Sequence, residues 1–215
     1  MQRRVLHGSG RYLVLALALG LGFACARPPP PVEPAPPPVA PAPAPPRPPP
    51  PGPCLHIERL VANKQERSLR VHCEGGATFT FPAAFGRDLG AKRAAGDERT
   101  PEGEYHVAGP ARPSRFHHFV PIDYPSPADA DAALAAGRLS RADHRRIIEA
   151  HRRGVMPPAD TPLGGSFGLH GEGARWRGES KQLDWTYGCI ALPDAELDFV
   201  IARIRKGTPI TILPR

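Results

Sequence analysis

Alternation of hydrophobic and polar residues recurs from residue 55 onward and predicts a series of short strands. Residues 55–61 and 68–72 favour strand and are separated by the polar residues 63–67, so a β-hairpin is expected to open the domain. Similar strand patterns occupy residues 78–81, 104–108 and 116–123, and Ile210 and Ile212 alternate in a closing strand. The connections between them are local, so the sheet is expected to be mostly antiparallel.

Three other stretches have helical rather than strand patterns. Residues 129–137 and 140–154 are rich in alanine, leucine and arginine, and each ends at a glycine. Near the end of the chain, apolar residues recur at i, i+3, i+4 and i+7 before Gly207; they are Leu197, Val200, Ile201 and Ile204. The pattern therefore predicts a mainly β domain with a helical insertion and a C-terminal helix.

The first 24 residues have the features of an export signal. Arginines supply a positive start, and residues 12–24 form an apolar run without a charge. About 13 residues are too few to cross a bilayer roughly 30 Å thick, so a cleaved signal peptide is expected rather than a permanent membrane span. We therefore predict an exported protein, acting in the periplasm.

Cys25 follows the apolar run in a sequence that resembles a bacterial lipobox, Leu21-Gly22-Phe23-Ala24-Cys25. Lipidation of Cys25 would anchor the protein to a membrane through its acyl chains. Gly22 and Phe23 depart from the usual residues, and Ala24-Cys25-Ala26 would also suit ordinary signal cleavage. We predict a membrane-anchored lipoprotein and keep the ordinary secreted form as the alternative.

A linker rich in proline and alanine occupies residues 25–53, and residues 28–53 contain seventeen prolines. Proline cannot continue a helix or a central strand, so an extended polyproline conformation is expected. At about 3.1 Å per residue, the proline-rich part would reach roughly 80 Å. It is either a spacer between a membrane and the cell wall or a disordered tail, and residues 54–215 form the predicted domain.

The net charge of +7 does not indicate a nucleic-acid partner. Residues 54–215 contain 23 basic and 20 acidic residues, so most of the excess lies in the N-terminal segments. A nearly balanced domain lacks the basic surface that a polyanion requires, and no nucleic-acid binding is predicted.

The four cysteines have three different predicted uses. Besides Cys25, Cys54 and Cys73 lie at the outer ends of the predicted hairpin and could form a disulfide in an oxidising compartment. The hairpin register could equally leave them two residues apart. Cys189 stands alone between Gly188 and an apolar stretch.

Cys189 and His170 have the surroundings of a thiol nucleophile and its base. His170 lies in Gly168-Leu169-His170-Gly171, and small neighbours on both segments would let main-chain amides approach a developing oxyanion. The imidazole would withdraw the thiol proton. Taken alone, the pair could also be a buried thiol and a structural histidine.

Several motifs resemble the L,D-transpeptidase (YkuD-type) family. His170, then fifteen residues, then Thr186-Tyr187-Gly188-Cys189 is similar to its signature of histidine, spacer, Ser or Thr, His, Gly and Cys. Four other family-like motifs occur in the family's order: Thr100-Pro101-Glu102-Gly103-Glu104-Tyr105, Asp123-Tyr124-Pro125, Thr161-Pro162-Leu163-Gly164-Gly165 and Gly207-Thr208-Pro209-Ile210. The resemblance covers about residues 57–213.

The resemblance implies a β-sandwich or barrel that needs no cofactor and acts on peptidoglycan stem peptides. Cys189 would attack the carbonyl of the third residue of a stem tetrapeptide, D-alanine would leave, and an amine of a second stem would accept the acyl group. His170 would be the base, and the oxyanion or substrate-binding residues would be Gly171, Thr186, Tyr187 and Gly188. The chain departs from the family at Tyr187, often histidine there, and at Ala191, often arginine. Hydrolysis of the same thioester and an inactive wall-binding module are the alternatives.

Other residues near these motifs have open interpretations. Thr186 orients the site or merely enters a strand, Asp184 and Trp185 shape a substrate groove or form a packed turn, and the loop 172–177 is substrate-facing or solvated. His117 and His118 are adjacent in a predicted strand and should point to opposite faces, so no metal site is predicted. The helical insertion is expected to cover one side of the active-site groove. Its arginines would either face substrate carboxylates or form an ordinary solvated surface.

Overall fold

A computed structural model describes residues 53–214. The predicted signal peptide, the predicted lipidation site at Cys25 and the linker up to residue 52 lie outside the described residues. Among residues 53–214, no helix has the length and hydrophobicity that a membrane span requires.

Nine strands and three α-helices form the described part of the chain. The strands are β1 (Ile57–Asn63), β2 (Ser68–Cys73), β3 (Thr78–Pro82), β4 (Gly103–His106), β5 (Arg112–Ser114), β6 (His117–Pro121), β7 (Gly168–His170), β8 (Ile190–Ala191) and β9 (Pro209–Leu213). The helices are α1 (Pro127–Ala135), α2 (Arg141–Arg152) and α3 (Asp194–Ile201). The mainly β domain with a helical insertion and a C-terminal helix is confirmed.

The strands form two sheets, one in the order β3-β2-β1-β9-β4 and the other in the order β5-β6-β7-β8. Most neighbouring pairs are antiparallel, as expected, but β1 pairs with β9 and β7 with β8 in parallel. The parallel pairs join strands that are distant in sequence, which needs a long crossover connection. The β7–β8 pair matters most, because it brings two glycine-flanked segments together.

One hydrophobic core is shared by both sheets and α3. Alternate residues of the strands point into it, such as Leu60 and Ala62 of β1, Ile210 and Ile212 of β9, and Leu169 of β7. This period of two follows from the pleat of a strand. Packing against this core fixes the ends of β7 and β8, where the candidate site lies.

Serine caps and glycines define the ends of the insertion helices. Ser126 caps α1 in a reciprocal capping box with Asp129, and Ser140 caps α2 by accepting a hydrogen bond from the Asp143 N–H at 3.0 Å. Gly137 and Gly154 follow the two helices with positive φ, where a glycine is favoured. The helices pack on each other through a small separate cluster that includes Ile147 and Leu163.

A disulfide joins Cys54 to Cys73, with 5.2 Å between their Cα atoms. Cys73 ends β2 and Cys54 precedes β1, so the bridge closes the open end of the first hairpin. The bulge in β1 between Ile57 and Arg59 sets the register that the sequence left undecided.

Candidate active site

His170 and Cys189 come together because β7 and β8 are neighbours. His170 is the last residue of β7, Cys189 directly precedes β8, and the parallel register pairs Leu169 with Ile190. In that register the positions of Cys189 and His170 on adjacent strands are offset by two residues. Their side chains therefore project from the same face of the sheet. Both line the same cleft.

The turn before Cys189 is held by the hydroxyl of Thr186. This hydroxyl donates to the Cys189 carbonyl at 2.6 Å and accepts from the Gly188 N–H at 3.1 Å. Thr186 therefore fixes the backbone of the turn that carries Cys189. The bond has a second consequence, because it uses the Gly188 N–H that the sequence analysis assigned to an oxyanion or substrate role.

Thr100 fastens the same turn from the other side. Its hydroxyl donates to the Gly188 carbonyl at 2.9 Å and accepts from the Gly86 N–H at 2.8 Å, and the side chain is buried. Gly188 has φ 122°, and a Cβ there would lie 2.7 Å from the Arg99 carbonyl oxygen. Only glycine fits this conformation and this close approach. The sequence indicated Thr100 only as part of a family-like motif and gave no sign of this role.

The ring of His170 is held in one orientation and one tautomer. It stacks on Phe116, with 4.8 Å between ring centroids, and meets the edge of Trp185 at 5.4 Å. Its Nδ1 lies 2.7 Å from the Gly171 carbonyl oxygen, which can only accept, so Nδ1 carries the proton. The Nε2 lone pair is left to act as a base.

Gly171 contributes to this arrangement through its carbonyl rather than through its N–H. The Gly171 N–H already donates to the Phe116 carbonyl at 2.9 Å. A Cβ on Gly171 would lie 2.4 Å from Asp194 Oδ1 and 2.8 Å from His117 Cβ. Gly171 is therefore a close-packing position that fixes the His170 tautomer, and its N–H is engaged within the fold.

Burial favours the neutral forms of both His170 and Cys189. Desolvation lowers the pKa of His170, assisted by the charge of Arg115 and opposed by the hydrogen bond to Gly171. Desolvation raises the pKa of the half-buried Cys189 thiol to about 11, although a hydrogen bond from the Gly168 main chain and the charge of Lys92 act in the opposite direction. The free protein thus holds a neutral thiol and a neutral imidazole in the same cleft at neutral pH.

Cys189 lies between two clefts. The larger, of about 560 Å³, has a cationic and aromatic lining that includes Arg87, Arg115, Arg175, Phe116, Trp176 and Trp185. The smaller, of about 350 Å³, is lined by Lys92 and by small residues such as Ala159, Gly164, Gly165 and Ser166. Cys189 and Tyr187 line both clefts. Tyr187 is largely exposed between them, with the Arg87 guanidinium 4.2 Å from its ring centroid.

The loop between His170 and Cys189 divides into structural and cleft-facing residues. The buried Glu172 carboxylate accepts from the N–H groups of Gly178 at 2.5 Å and Ser180 at 2.8 Å, so it closes the loop on itself. Asp184 accepts from the Phe85 N–H at 2.9 Å and is likewise structural. Arg175 and Trp176 face the larger cleft, and Trp176 stacks on Trp185 at 4.7 Å.

The predicted position of the helical insertion is wrong. Among residues 53–214, the linings of the two clefts beside Cys189 include no residue of α1 or α2. Arg146 instead pairs with Asp143 at 3.0 Å and with Asp160 at 2.6 Å, and Arg152 lies 3.5 Å from Glu149. The pairs with Asp143 and Glu149 form because i, i+3 neighbours share one helix face.

The predicted orientation of His117 and His118 is also wrong. The two rings lie 4.4 Å apart, centroid to centroid, instead of on opposite faces. His117 has φ 67° at the start of β6, outside the strand region. Strict alternation requires extended backbone on both residues, so this one rotation brings the two side chains together.

Comparisons with known proteins agree with the motifs. The family model of the L,D-transpeptidase catalytic domain, YkuD, matches residues 57–212. No curated protein sequence matches the chain.

Solved structures with a similar fold include three proteins from different bacteria. The helical cell shape determining protein Pgp2 from Campylobacter jejuni is 22% identical, with a TM-score of 0.48 over 74% of this chain and 48% of that one. Bd1075 from Bdellovibrio bacteriovorus is 18% identical, with a TM-score of 0.44 over 74% and 48%. An L,D-transpeptidase from Mycobacterium smegmatis is 17% identical, with a TM-score of 0.42 over 73% and 58%.

This chain spans about half the length of the first two structures. The family assignment comes from the family model, whose match includes the segments that hold His170 and Cys189. The chain belongs to the L,D-transpeptidase (YkuD) catalytic domain family.

Proposed function

We propose that this chain is a peptidoglycan L,D-transpeptidase that transfers an acyl group through a thioester on Cys189. The observation that supports transfer most directly is the position of Cys189 between two clefts. A transferase must bring a donor and an acceptor to one sulfur atom, and two separate approaches provide for both.

In the first half-reaction, His170 Nε2 takes the proton from Cys189 Sγ as sulfur bonds to the carbonyl carbon of the third stem residue. The bond from that carbonyl to the terminal D-alanine nitrogen then breaks, and the imidazolium returns its proton to the departing amine. The neutral imidazole with its proton on Nδ1 is the correct starting form for this transfer. Stacking on Phe116 keeps the ring in place during both proton movements.

In the second half-reaction, an amine of another stem peptide attacks the thioester. His170 accepts a proton from the attacking amine and gives one to the departing thiolate, so the thiol and the neutral imidazole are regenerated. Hydrolysis is the same step with water as the acceptor.

The oxyanion formed in each step requires main-chain N–H groups near Cys189. The Gly188 N–H is bonded to Thr186, and the Gly171 N–H is bonded to Phe116. We assign the role to the N–H groups of Tyr187 and Cys189, which the hydrogen bonds of this turn do not use. Thr186 and Thr100 hold that turn rigid, and preorganised donors are worth about 2.7–4 kcal/mol each in such sites.

The lining of the larger cleft supports an anionic peptide as substrate. Arg87, Arg115 and Arg175 each lie over an aromatic ring, at 4.2–5.4 Å from the centroids. Such stacked guanidinium groups are suited to carboxylates, which stem peptides carry. Ala191 is fully buried against Ala84 and Trp185, so the charge that relatives often carry at this position must come from another residue here. Arg115 is the candidate because its charge already acts on His170.

We further propose that the protein acts in the periplasm as a lipoprotein anchored through Cys25. Residues 25–53 would then be the spacer that lets the catalytic domain reach peptidoglycan. This proposal depends on the sequence of the N-terminal 53 residues alone.

Incubation of the purified chain with tetrapeptide muropeptides, followed by mass spectrometry, tests the reaction. Crosslinked dimers with release of D-alanine are the expected products. Trimmed monomers alone would identify a hydrolase, and unchanged substrate would indicate the wall-binding module. Addition of free D-methionine provides a second acceptor, and its incorporation would report transfer even if stem–stem crosslinks were slow to form.

A further inference from the structure

Three potential metal ligands converge on the side of the domain where β6 packs against α3. His117 Nε2 lies 2.7 Å from Asp198 Oδ1, and His118 Nδ1 lies 4.0 Å from the same oxygen. One ligand atom from each of the three residues lies within 4.8 Å of the others. All three side chains are partly accessible, although the His118 Nδ1 atom itself is buried.

This cluster is separate from the site at Cys189. None of its three residues lines either cleft beside that cysteine. It is also absent from the motifs that carry the family resemblance, and the proposed reaction makes no use of it.

The hydrogen bonds of the cluster leave one nitrogen atom without a partner. His117 Nε2 is hydrogen-bonded to the Asp198 carboxylate. By contrast, His118 Nδ1 is inaccessible to water and has no hydrogen-bond partner among residues 53–214. A buried polar atom without a partner destabilises the folded state. An ion between the three side chains would bind this nitrogen atom as well as the carboxylate.

A second histidine–aspartate cluster in the same domain provides a contrast. Asp123 lies 3.2 Å from His106 Nδ1 and 3.9 Å from His151 Nδ1. There Asp123 also accepts from the His106 N–H at 2.7 Å, and His151 Nε2 donates to the Pro125 carbonyl at 2.8 Å. Asp123 and His151 thus bind main-chain groups. The potential ligand atoms of this second cluster do not converge as those of His117, His118 and Asp198 do.

We propose that His117, His118 and Asp198 bind one divalent transition-metal ion of the zinc class. Two imidazole nitrogens and one carboxylate oxygen are ligands that Zn²⁺, Co²⁺ and Ni²⁺ accept, whereas Ca²⁺ and Mg²⁺ prefer oxygen alone. Solvent would complete the coordination. Bonds of about 2.0–2.1 Å place tetrahedral ligands roughly 3.3 Å apart, so Asp198 must move slightly away from His117 as the ion enters. The exposed Asp198 side chain has room to do so.

The ion would join β6 to α3 behind the segment that holds the proposed base. The Gly171 N–H donates to the His118 carbonyl at 3.3 Å, and the Gly171 carbonyl fixes the tautomer of His170. Occupancy would therefore stiffen this segment without adding a group to the reaction. We expect the metal to raise the melting temperature of the protein.

The test uses the full chain, treated with a chelator, in a Cys25→Ser, Cys189→Ser background that removes both cysteines outside the disulfide. Titration with Zn²⁺ by calorimetry should give one equivalent, and Co²⁺ should give the visible absorption of a tetrahedral ion. Removal of a ligand should weaken binding by about 100-fold or more, since even outer-shell changes cost 10- to 100-fold.

The ligand variants are chosen to preserve the fold. Asp198→Asn keeps the side-chain shape, and His117→Asn suits a left-handed backbone, which asparagine tolerates. His118→Ala removes the unpartnered nitrogen atom, and His106→Ala is the matched control from the other cluster. Circular dichroism would verify that each variant is folded.

The proposal is supported if all three ligand variants lose binding and the metal-dependent rise in melting temperature while His106→Ala retains both. It is overturned if Zn²⁺ fails to bind, if affinity survives in Asp198→Asn and His117→Asn, or if His106→Ala abolishes it. None of these readouts depends on acyl transfer, so the metal site can fail while the proposed function stands.

Discussion

Polar side chains have different partners in the turn at Cys189 and in the helical insertion. At Cys189, Thr100 and Thr186 bind main-chain groups of neighbouring segments and hold one backbone conformation. In the insertion, Arg146 and Arg152 pair with acidic residues a turn away or just beyond the helix. The threonines position atoms of the candidate active site, whereas the arginines form local ion pairs on the protein surface.

The difference shows why charge along a helix is a weak guide to substrate binding. Exposed ion pairs contribute about 0–1 kcal/mol and leave their charges directed at each other. By contrast, the cleft arginines Arg87, Arg115 and Arg175 occur singly in sequence and are collected by the fold. Function should therefore be sensitive to changes at the turn and in the cleft, and insensitive to changes in the insertion.

The largest effect is expected from Cys189→Ser and from His170→Ala. Each should reduce covalent labelling by a carbapenem on the order of 10³-fold or more, because one removes the reactive sulfur and the other its base. Intact-mass spectrometry measures the adduct. His144→Ala in the insertion, which removes a histidine bonded to Asp131, should label normally. An adduct that persisted on Cys189→Ser would remove Cys189 from the nucleophile role.

The pH dependence of thiol alkylation should be steep. With the pKa of Cys189 raised to about 11, the thiolate fraction grows tenfold per pH unit across the neutral range. Iodoacetamide should therefore react about 100-fold faster at pH 9 than at pH 7. A rate that was already constant between these values would mean a thiolate–imidazolium pair in the free protein, contrary to the neutral pair described above.

Thr100→Val should weaken both stability and acylation. The change leaves the Gly86 N–H and the Gly188 carbonyl without a partner, at about 1–3 kcal/mol for each buried group. Small displacements of a reacting group cost up to about 10²-fold, so a 10- to 100-fold slower carbapenem acylation is expected. Thr80→Val, on an exposed position of β3, is the matched control. Equal rates for both variants would show that the turn is held without Thr100.

Local patterns were sufficient to predict most elements of the fold. Strand alternation located β1, β2, β3, β6 and β9, and helix-forming composition with glycine ends located α1 and α2. The strand β5 was missed because it has three residues, one of them proline. It forms a strand because it pairs with β6, and this tertiary contact cannot be recognised from three residues of sequence.

The candidate site was only partly predictable for a similar reason. Cys189 and His170 stand in short glycine-flanked motifs, so their residue types were visible. Phe116, Arg115 and Arg87 come from a hairpin turn and a loop, and the fold alone brings them into the cleft. His117 and His118 were misread because a single left-handed residue cancels the alternation on which the expectation depended.

Arg115→Gln should have a moderate effect on both the pH profile of kcat/KM and the KM for muropeptides. Loss of its charge removes a cause that lowers the pKa of His170, so that pKa should rise. Because the base must be neutral, the acid limb of the kcat/KM profile should move to higher pH. The KM for anionic muropeptides should increase about two- to fivefold, as expected for a partly exposed charge pair. Arg115→Lys should keep the acid limb near its original position, and an unchanged profile in Arg115→Gln would separate Arg115 from the base.

The smallest effect is expected in the insertion, from Arg145→Gln combined with Arg153→Gln. Both residues are exposed, Arg145 on α2 and Arg153 directly after it, and neither lines a cleft beside Cys189. Surface substitutions of this kind change stability by no more than about 0.5 kcal/mol, and muropeptide turnover should stay within about twofold of the parent. Arg175→Gln removes one charge from the larger cleft and should reduce turnover further than the double variant does. If the double variant were the slower of the two, the insertion would have to contact substrate during turnover, and the contrast between the two regions would fail.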